Sequence, residues 1–175
     1  MTTTGISPAF WKKSTCSTGC AASTRTSASN AAWRSFRPRL PHHADLIQAY
    51  WDRWAETLNG TFDDSLALVE ELRAIGTPLY VISNWSSETW HHAQGFPFLE
   101  WFDGVVVSGL EGVAKPDPTI FTLACDRYDL VPERCVFIDD MANNVESARN
   151  LGFHAIQFQN APALRRDFVA LGLLS

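Results

Sequence analysis

The feature that most constrains the fold is an alternation of short apolar runs with helical segments between residues 78 and 171. Four runs rich in β-branched residues have the sequences PLYVIS, GVVVS, CVFID and HAIQF. Their length and composition are typical of strands buried in a parallel sheet. Because helices are predicted between and after these strands, the alternation predicts an α/β fold, with a parallel sheet covered by helices on both faces. The predicted helices span 86–94, 118–128, 144–151 and 161–171.

Two more helices are predicted before the first strand. Between residues 46 and 58, apolar side chains recur at steps of three and four, which gives one apolar helical face. The Asn-Gly pair at 59–60 is expected to end that helix. The two aspartates at 63–64 are expected to begin a second helix, and Gly76 is expected to end it.

The composition of the chain changes near residue 44. The first 44 residues carry a formal charge of +6 without any Asp or Glu, so the remaining 131 carry −11. Ser and Thr fill 14 of those first 44 positions and only 13 of the rest. Residues 1–41 show neither helical nor strand periodicity, so we expect this atypical Ser/Thr/Arg-rich leader to be disordered. Its composition also resembles a transit peptide.

A frame shift is our alternative explanation for this leader. When the codons for residues 10–40 are read one base out of frame, they can encode an acidic peptide whose apolar residues recur with a helical period. The residues that follow the leader have the same character. We therefore hypothesise that the leader is mis-translated and that a start farther upstream is absent.

Charge, hydropathy and cysteine content exclude several classes of partner. The net charge of −5 argues against nucleic acid, and no apolar run is long enough to cross a bilayer. Cys16 and Cys20 lack a second ligand pair at zinc-like spacing. Cys125 and Cys135 are expected to be buried free thiols, which favours a reducing cytoplasm.

Polar residues follow three of the four predicted strands at their carboxyl ends, where such sheets bind ligands. They supply a hydroxyl, amides, one cation and paired carboxylates. Ser and Lys can hold phosphate oxygens and carboxylates can hold Mg²⁺, so the set suits an anionic substrate and a hard cation. Taken singly, each also has a structural explanation, such as loop capping or a solvated side chain. The residues are Ser83, Asn84, Lys115, Asp139, Asp140, Asn143 and Asn144.

The order and spacing of these residues resemble motifs II to IV of the haloacid dehalogenase (HAD) superfamily. The strand ending in Ser-Asn is similar to motif II, and GLEGVAKPDPTIF to motif III. VFIDDMANNVESARNLGFHAI is similar to motif IV with the helix and strand that follow it. The resemblance covers about residues 62–158. It implies a Rossmann-like core over 62–175 and part of a helical cap over 42–61.

The resemblance also implies a role for each site residue. Ser83, Asn84 and Lys115 would bind the transferring phosphoryl group, with Lys115 also neutralising the nucleophile. Asp139 and Asp140 would bind Mg²⁺. These roles imply phosphoryl transfer by positioning and charge neutralisation.

Two features of motif IV refine this expectation. Asn143 and Asn144 would orient the metal-binding carboxylates. Family members that cleave carbon–halogen bonds typically carry Ser-Ser-Asn where this chain has Ile138-Asp139-Asp140. The sequence therefore favours phosphate esters over haloacids.

The sequence departs from the family pattern at the nucleophile. The resemblance implies an Asp-x-Asp motif after an N-terminal strand, and no such motif precedes Ser83. Asp45 and Asp52 lie on the cap-like helix instead. We expect this chain, without that strand and nucleophile, to have little family activity as written.

Three functions remain open. The first is a Mg²⁺-dependent phosphatase acting on a small phosphorylated metabolite. The second is a phosphate-binding or interaction protein without a nucleophile. The third, disfavoured by the Asp-Asp pair, is a 2-haloacid dehalogenase.

Overall fold

The computed structural model describes residues 41–58 and 60–175. Residues 1–40 of the leader, and Asn59 at the expected end of the first helix, lie outside the described residues. The first helix, α1 (Ala44–Asp52), is shorter than predicted and is followed by a 3-10 turn at Trp54–Thr57. In this turn the hydroxyl of Thr57 donates to the carbonyl of Trp54 at 2.7 Å, a local hydrogen bond that competes with continued α-helix.

The elements from residue 63 onward alternate as the sequence predicts. Each strand begins and ends within two residues of its predicted bounds. Asp117 caps the helix that begins at Pro118 by accepting from the amide of Thr119 at 2.9 Å. The helices are α2 (Asp63–Ala74), α3 (Trp90–Ala93), α4 (Ser108–Glu111), α5 (Pro118–Tyr128), α6 (Ala142–Asn150) and α7 (Ala161–Ala170). The strands are β1 (Tyr80–Ser83), β2 (Gly104–Val107), β3 (Val136–Asp139) and β4 (His154–Gln157). Three more 3-10 turns span Pro41–His43, Pro97–Trp101 and Pro132–Arg134.

The helix predicted over 86–94 was wrong in its length, since only the four residues of α3 are helical. A turn occupies the preceding residues. The hydroxyl of Ser86 accepts from the amide of Glu88 at 3.2 Å, and its carbonyl accepts from Thr89 at 3.3 Å. These local bonds take backbone donors that a longer helix would use.

The strands form two parallel pairs rather than one continuous sheet. β1 pairs with β2 in a register that sets Ser83 opposite Val107, and β3 pairs with β4 so that Asp139 lies opposite Gln157. Among the described residues no strand lies between the two pairs, and no backbone ladder joins β1 to β3. The predicted class, α/β with parallel strands, is confirmed; the single sheet is not found in the described part of the chain.

Helices cover both faces of the strands, as predicted. Alternate residues of β3 point to opposite faces. Phe137 packs against a core that α5 and α6 build around Phe121. Val136 and Ile138 pack against a second core, which α2 and α7 build around Phe168.

The hydroxyl of Tyr128 occupies a position beside β2 that another strand could have taken. It accepts from the amide of Val105 at 2.9 Å and donates to the carbonyl of Val105 at 3.1 Å. A side chain at Gly104 would overlap the ring of Tyr128, so this approach requires glycine. Both backbone groups of Val105 are therefore satisfied by one side chain.

Within the described residues, each helix is too short or too polar to span a lipid bilayer.

Candidate active site

The amide side chain of Asn84 joins the carboxyl end of β1 to the loop after β2. Its Nδ2 donates to the carbonyl of Lys115 at 2.7 Å, and its Oδ1 accepts from the amide of Lys115 at 2.8 Å. This two-bond pairing resembles one rung of a strand ladder. It fixes the backbone of Lys115 beside the end of β1, although the two residues are 31 positions apart.

The side chain of Lys115 forms a buried ion pair with Asp139 at the carboxyl end of β3. Its Nζ lies 2.7 Å from Oδ2 of Asp139, and the two side chains are only 11% and 6% exposed. The same Nζ lies 5.6 Å from the ring centroid of Phe137. Lys115 therefore contacts both Asn84, just after β1, and Asp139, at the end of β3.

The other oxygen of Asp139 is held by two neutral donors. Oδ1 accepts from the amide of Met141 and from Nδ2 of Asn144, both at 2.9 Å. Burial alone would raise the pKa of this carboxyl. The hydrogen bonds from Lys115, Met141 and Asn144 outweigh that effect and hold the pKa below its usual value of 3.8. Asp139 is therefore a carboxylate at neutral pH.

The remaining predicted site residues lie around this pair at different depths. Ser83 is half-buried at the end of β1, and its side chain makes no hydrogen bond to another described residue. Asp140 is exposed, and its carbonyl accepts from Gln157 at 3.0 Å. Asn143 is also exposed and lines a shallow groove of about 380 Å³ with Pro116. Because helix neighbours point about 100° apart, Asn144 reaches Asp139 and Asn143 does not.

The carboxylates suit Mg²⁺ as a partial ligand set. Asp139 and Asp140 offer adjacent oxygen donors at the end of β3. Magnesium in proteins is commonly bound by one or two carboxylates, with substrate phosphate and water completing the shell. No group of three or more His, Cys, Asp or Glu side chains in the described part of the chain is placed for a metal. The residues present therefore fit Mg²⁺ only together with ligands beyond these two.

Trp85 is held in place by contacts that the sequence did not predict. Its amide donates to the hydroxyl of Ser108 at 3.0 Å, and its carbonyl accepts from the amide of Gly109 at 2.9 Å. A methyl group at Gly109 would lie 2.6 Å from that carbonyl oxygen and would overlap the backbone of Ser87. A Ser-Gly pair at the end of a predicted strand was the one sequence signal for this close approach.

Replacing Gly109 with alanine is expected to destabilise the protein by about 1–3 kcal/mol, because backbone must move to admit the methyl group. Urea denaturation would measure the free energy of unfolding. Gly95→Ala is the matched control, since a methyl group there would meet only one carbonyl at an ordinary 3.6 Å. Equal effects in both variants would contradict the close approach.

A comparison with known protein families shows the family of this chain. The model of the haloacid dehalogenase-like hydrolases matches residues 21–152, about three quarters of the chain. The chain belongs to this hydrolase family. The match begins inside the Ser/Thr/Arg-rich leader and ends just after α6.

Curated relatives of this HAD-like chain include both phosphatases and a dehalogenase. Acyl-CoA dehydrogenase family member 10 of Mus musculus is 33% identical over 67% of this chain and 11% of its own length. The sesquiterpene phosphatase astK of Aspergillus oryzae is 28% identical over 55% and 50%. (S)-2-haloacid dehalogenase 1 of a Pseudomonas strain is 26% identical over 75% and 57%. The chain thus spans half or less of the length of the first two relatives.

Solved structures of HAD enzymes share the fold. A HAD-like hydrolase of Porphyromonas gingivalis has a TM-score of 0.62 at 26% identity, covering 77% of this chain and 72% of its own. A HAD-family enzyme of Bacteroides thetaiotaomicron, crystallised with magnesium and inorganic phosphate, has a TM-score of 0.50 at 26% identity, covering 54% of this chain and 51% of its own. These matches confirm the predicted Rossmann-like family fold.

Proposed function

We propose that this chain carries the phosphate-binding core of a Mg²⁺-dependent phosphatase that acts on a small phosphorylated metabolite. The observation that carries the proposal is the buried pair between Lys115 and Asp139 at the carboxyl ends of β1 and β3. A cation held in this way can receive an anionic group without the entropic cost of ordering a free lysine. Residues 42–61 would form part of a cap above this core.

Each residue of the site has a distinct part in this proposal. Lys115 faces the phosphoryl oxygens with its ammonium group, and the free hydroxyl of Ser83 donates to one of them. Asn84 acts through Lys115, because both ends of its amide are already bound to the lysine backbone. Asn144 holds Asp139 in place.

Magnesium would be held by Asp139 and Asp140, and when bound it would neutralise charge that develops on the phosphoryl oxygens. For Asp139 to serve as a ligand, no change of protonation is needed, because its pKa already lies below the usual range. A relative that is named as a phosphatase and a structural neighbour that binds magnesium and phosphate support this assignment.

A second function is supported by the sequence itself. No Asp-x-Asp motif precedes Ser83, so the chain as written has no residue at the family's nucleophile position. Such a chain would bind phosphate without hydrolysing its esters. Dehalogenation is the weaker alternative, although one relative is a dehalogenase, because an Asp-Asp pair suits a cation.

Two measurements separate these functions. The activity assays use the chain with the upstream coding region of its gene restored, because little turnover is expected of the chain as written, and the binding measurement uses the chain as written. Release of phosphate from p-nitrophenyl phosphate, measured with MgCl₂ and then with EDTA, reports phosphatase activity and its dependence on metal. Isothermal titration calorimetry with inorganic phosphate reports binding without turnover. Metal-dependent release supports the first function, and binding alone supports the second. Halide release from 2-chloropropionate in EDTA would support the third, and no response in any assay would contradict all three.

Asn144→Ala is expected to weaken magnesium-dependent phosphate binding at least tenfold, because Asp139 loses the donor that orients it. Calorimetry with phosphate and MgCl₂ measures the change. Asn143→Ala is the matched control, since the same residue type one position earlier is exposed and does not reach Asp139. Equal loss in both variants would remove Asn144 from the site.

A further inference from the structure

A cluster of aromatic side chains lies next to the residues that hold Lys115. Trp85 directly follows Asn84 in the chain. Its ring centroid lies 5.4 Å from that of Trp54 and 5.9 Å from that of Trp90, in both cases edge to face. Trp54 in turn stacks on His92 at 5.7 Å, with an interplanar angle of 21°. The cluster therefore joins the region before α2 to the loop after β1.

The position of Trp85 within this cluster is fixed before any ligand binds. Its backbone N–H donates to the hydroxyl of Ser108, and its carbonyl accepts from the amide of Gly109. Its indole N–H donates to the hydroxyl of Thr89 at 3.0 Å, and Thr89 is only 3% exposed. The ring cannot turn its N–H outward without losing that buried partner.

The chemistry of the exposed indole surface follows from this anchoring. Trp85 is half-buried, so part of the residue remains accessible to solvent. Since its one polar atom is already bonded, the accessible part offers only apolar and π surface. A rigid surface of this kind binds an apolar or aromatic group with little loss of conformational entropy.

Trp85 is connected to the anion site through Asn84, its direct neighbour in the chain. The amide of Asn84 binds the backbone of Lys115, and the next residue carries the indole. A phosphate monoester bound at Lys115 would extend its alcohol away from the ammonium group. Of the three residues at the end of β1, Ser83, Asn84 and Trp85, only Trp85 carries an apolar side chain that such an alcohol could contact.

We propose that Trp85, supported by Trp54 and Trp90, determines substrate specificity by contacting the alcohol part of the phosphate ester. The substrate class is a phosphate monoester whose alcohol carries an aromatic ring or an extended apolar surface. This inference rests on the proposed phosphate site at Lys115. It adds to that site a second, apolar subsite with its own residues.

Two phosphonates that cannot be hydrolysed test the subsite on the chain as written, in the presence of MgCl₂. Phenylphosphonate and methylphosphonate share the anionic group and differ in the ring. We expect calorimetry to show phenylphosphonate binding roughly tenfold more tightly, the size of one good aromatic contact. Trp85→Leu is expected to remove that preference and to leave methylphosphonate binding unchanged, whereas Trp85→Phe keeps most of it.

Trp101→Leu is the matched control. Trp101 is also half-buried but lies in the turn before β2, at the opposite end of that strand from the site. It should keep the full preference. If Trp85→Leu fails to fold, the ratio of the two affinities in the wild-type protein and in Trp85→Phe still decides the question.

The outcomes separate the subsite from the phosphate site. Equal affinity for both phosphonates, with both weakened by Lys115→Ala, would overturn the subsite and leave the anion site standing. A preference for the ring that survives Trp85→Leu would overturn the role of Trp85. Failure of both phosphonates to bind, or binding that Lys115→Ala does not weaken, would contradict the proposed function, and the subsite would fall with it.

Discussion

Replacing Lys115 with methionine is expected to lower the free energy of unfolding by about 3 kcal/mol at neutral pH, the cost of removing one partner from a buried ion pair. Methionine keeps most of the apolar part of the side chain, so the main change is the loss of the ammonium group, which pairs with Asp139 and lies over the ring of Phe137. The carboxylate of Asp139 then stays buried with only the amide of Met141 and Asn144 as donors. Urea denaturation measures the loss.

This destabilisation should depend on pH in one direction. Because the pKa of Asp139 is lowered in the folded protein, its contribution is present at neutral pH and is lost as the pH falls through the folded-state pKa, below the usual 3.8. The difference between the wild-type protein and Lys115→Met is therefore full at pH 7 and shrinks as acid protonates Asp139. A difference that grows toward low pH would contradict the assignment.

Two further variants isolate the ion pair. The double variant Lys115→Met/Asp139→Asn should recover part of the lost stability, because no uncompensated charge remains. Arg127→Met breaks the pair between Arg127 and Glu111, whose atoms lie 2.7 Å apart but whose arginine is 39% exposed. That exposed pair should contribute less than about 1 kcal/mol. Equal losses from Lys115→Met and Arg127→Met would show that burial of the first pair is unimportant.

Replacing Phe121 with alanine is expected to lower the free energy of unfolding by about 3–5 kcal/mol, the largest effect we predict for one substitution. Phe121 is completely buried and lies at the centre of the core between α5, α6 and the strands. Its ring contacts that of Phe137 at a centroid distance of 5.1 Å and that of Phe153 at 6.1 Å. The cavity left by the ring cannot be filled without moving both neighbours.

Phe62→Ala is the matched control for this substitution. Phe62 is 82% exposed at the start of α2, so its truncation should change stability by no more than about 0.5 kcal/mol. Chemical denaturation of both variants, followed by circular dichroism, makes the comparison. A small effect of Phe121→Ala would mean that the core around α5 can collapse to fill the cavity.

The fold was largely predictable from local patterns, whereas its strand order was not. The bounds of α5 were predicted to the residue, because a proline-started helix with an aspartate cap has local signals at its start. The apolar runs likewise marked the strands. Pairing depends on contacts between distant segments, and no local pattern in Val136–Asp139 specifies that β4 is its partner and β1 is not.

Within the candidate site, the residue types were predictable and their contacts were not. Sequence position alone treats Asn143 and Asn144 alike, but the helical turn of α6 brings only Asn144 to Asp139. The direct contact between Lys115 and Asp139 joins the loop after α4 to the end of β3, across 24 positions of sequence. The anchoring of Trp85 was missed because it depends on a close approach of the backbone of Gly109 and on a hydroxyl 23 positions away, which no local pattern specifies.

The hydroxyl of Tyr128 also limits how this protein can self-associate. Edge strands with free amide and carbonyl groups can recruit a strand from another molecule and start aggregates. On β2 the two groups of Val105 that such a strand would need are already bound by that hydroxyl, and the phenol ring occupies the space beside Gly104. The tyrosine thus protects the middle of this edge against intermolecular sheet growth, and it does so from a helix, with no proline or charged residue in the strand itself.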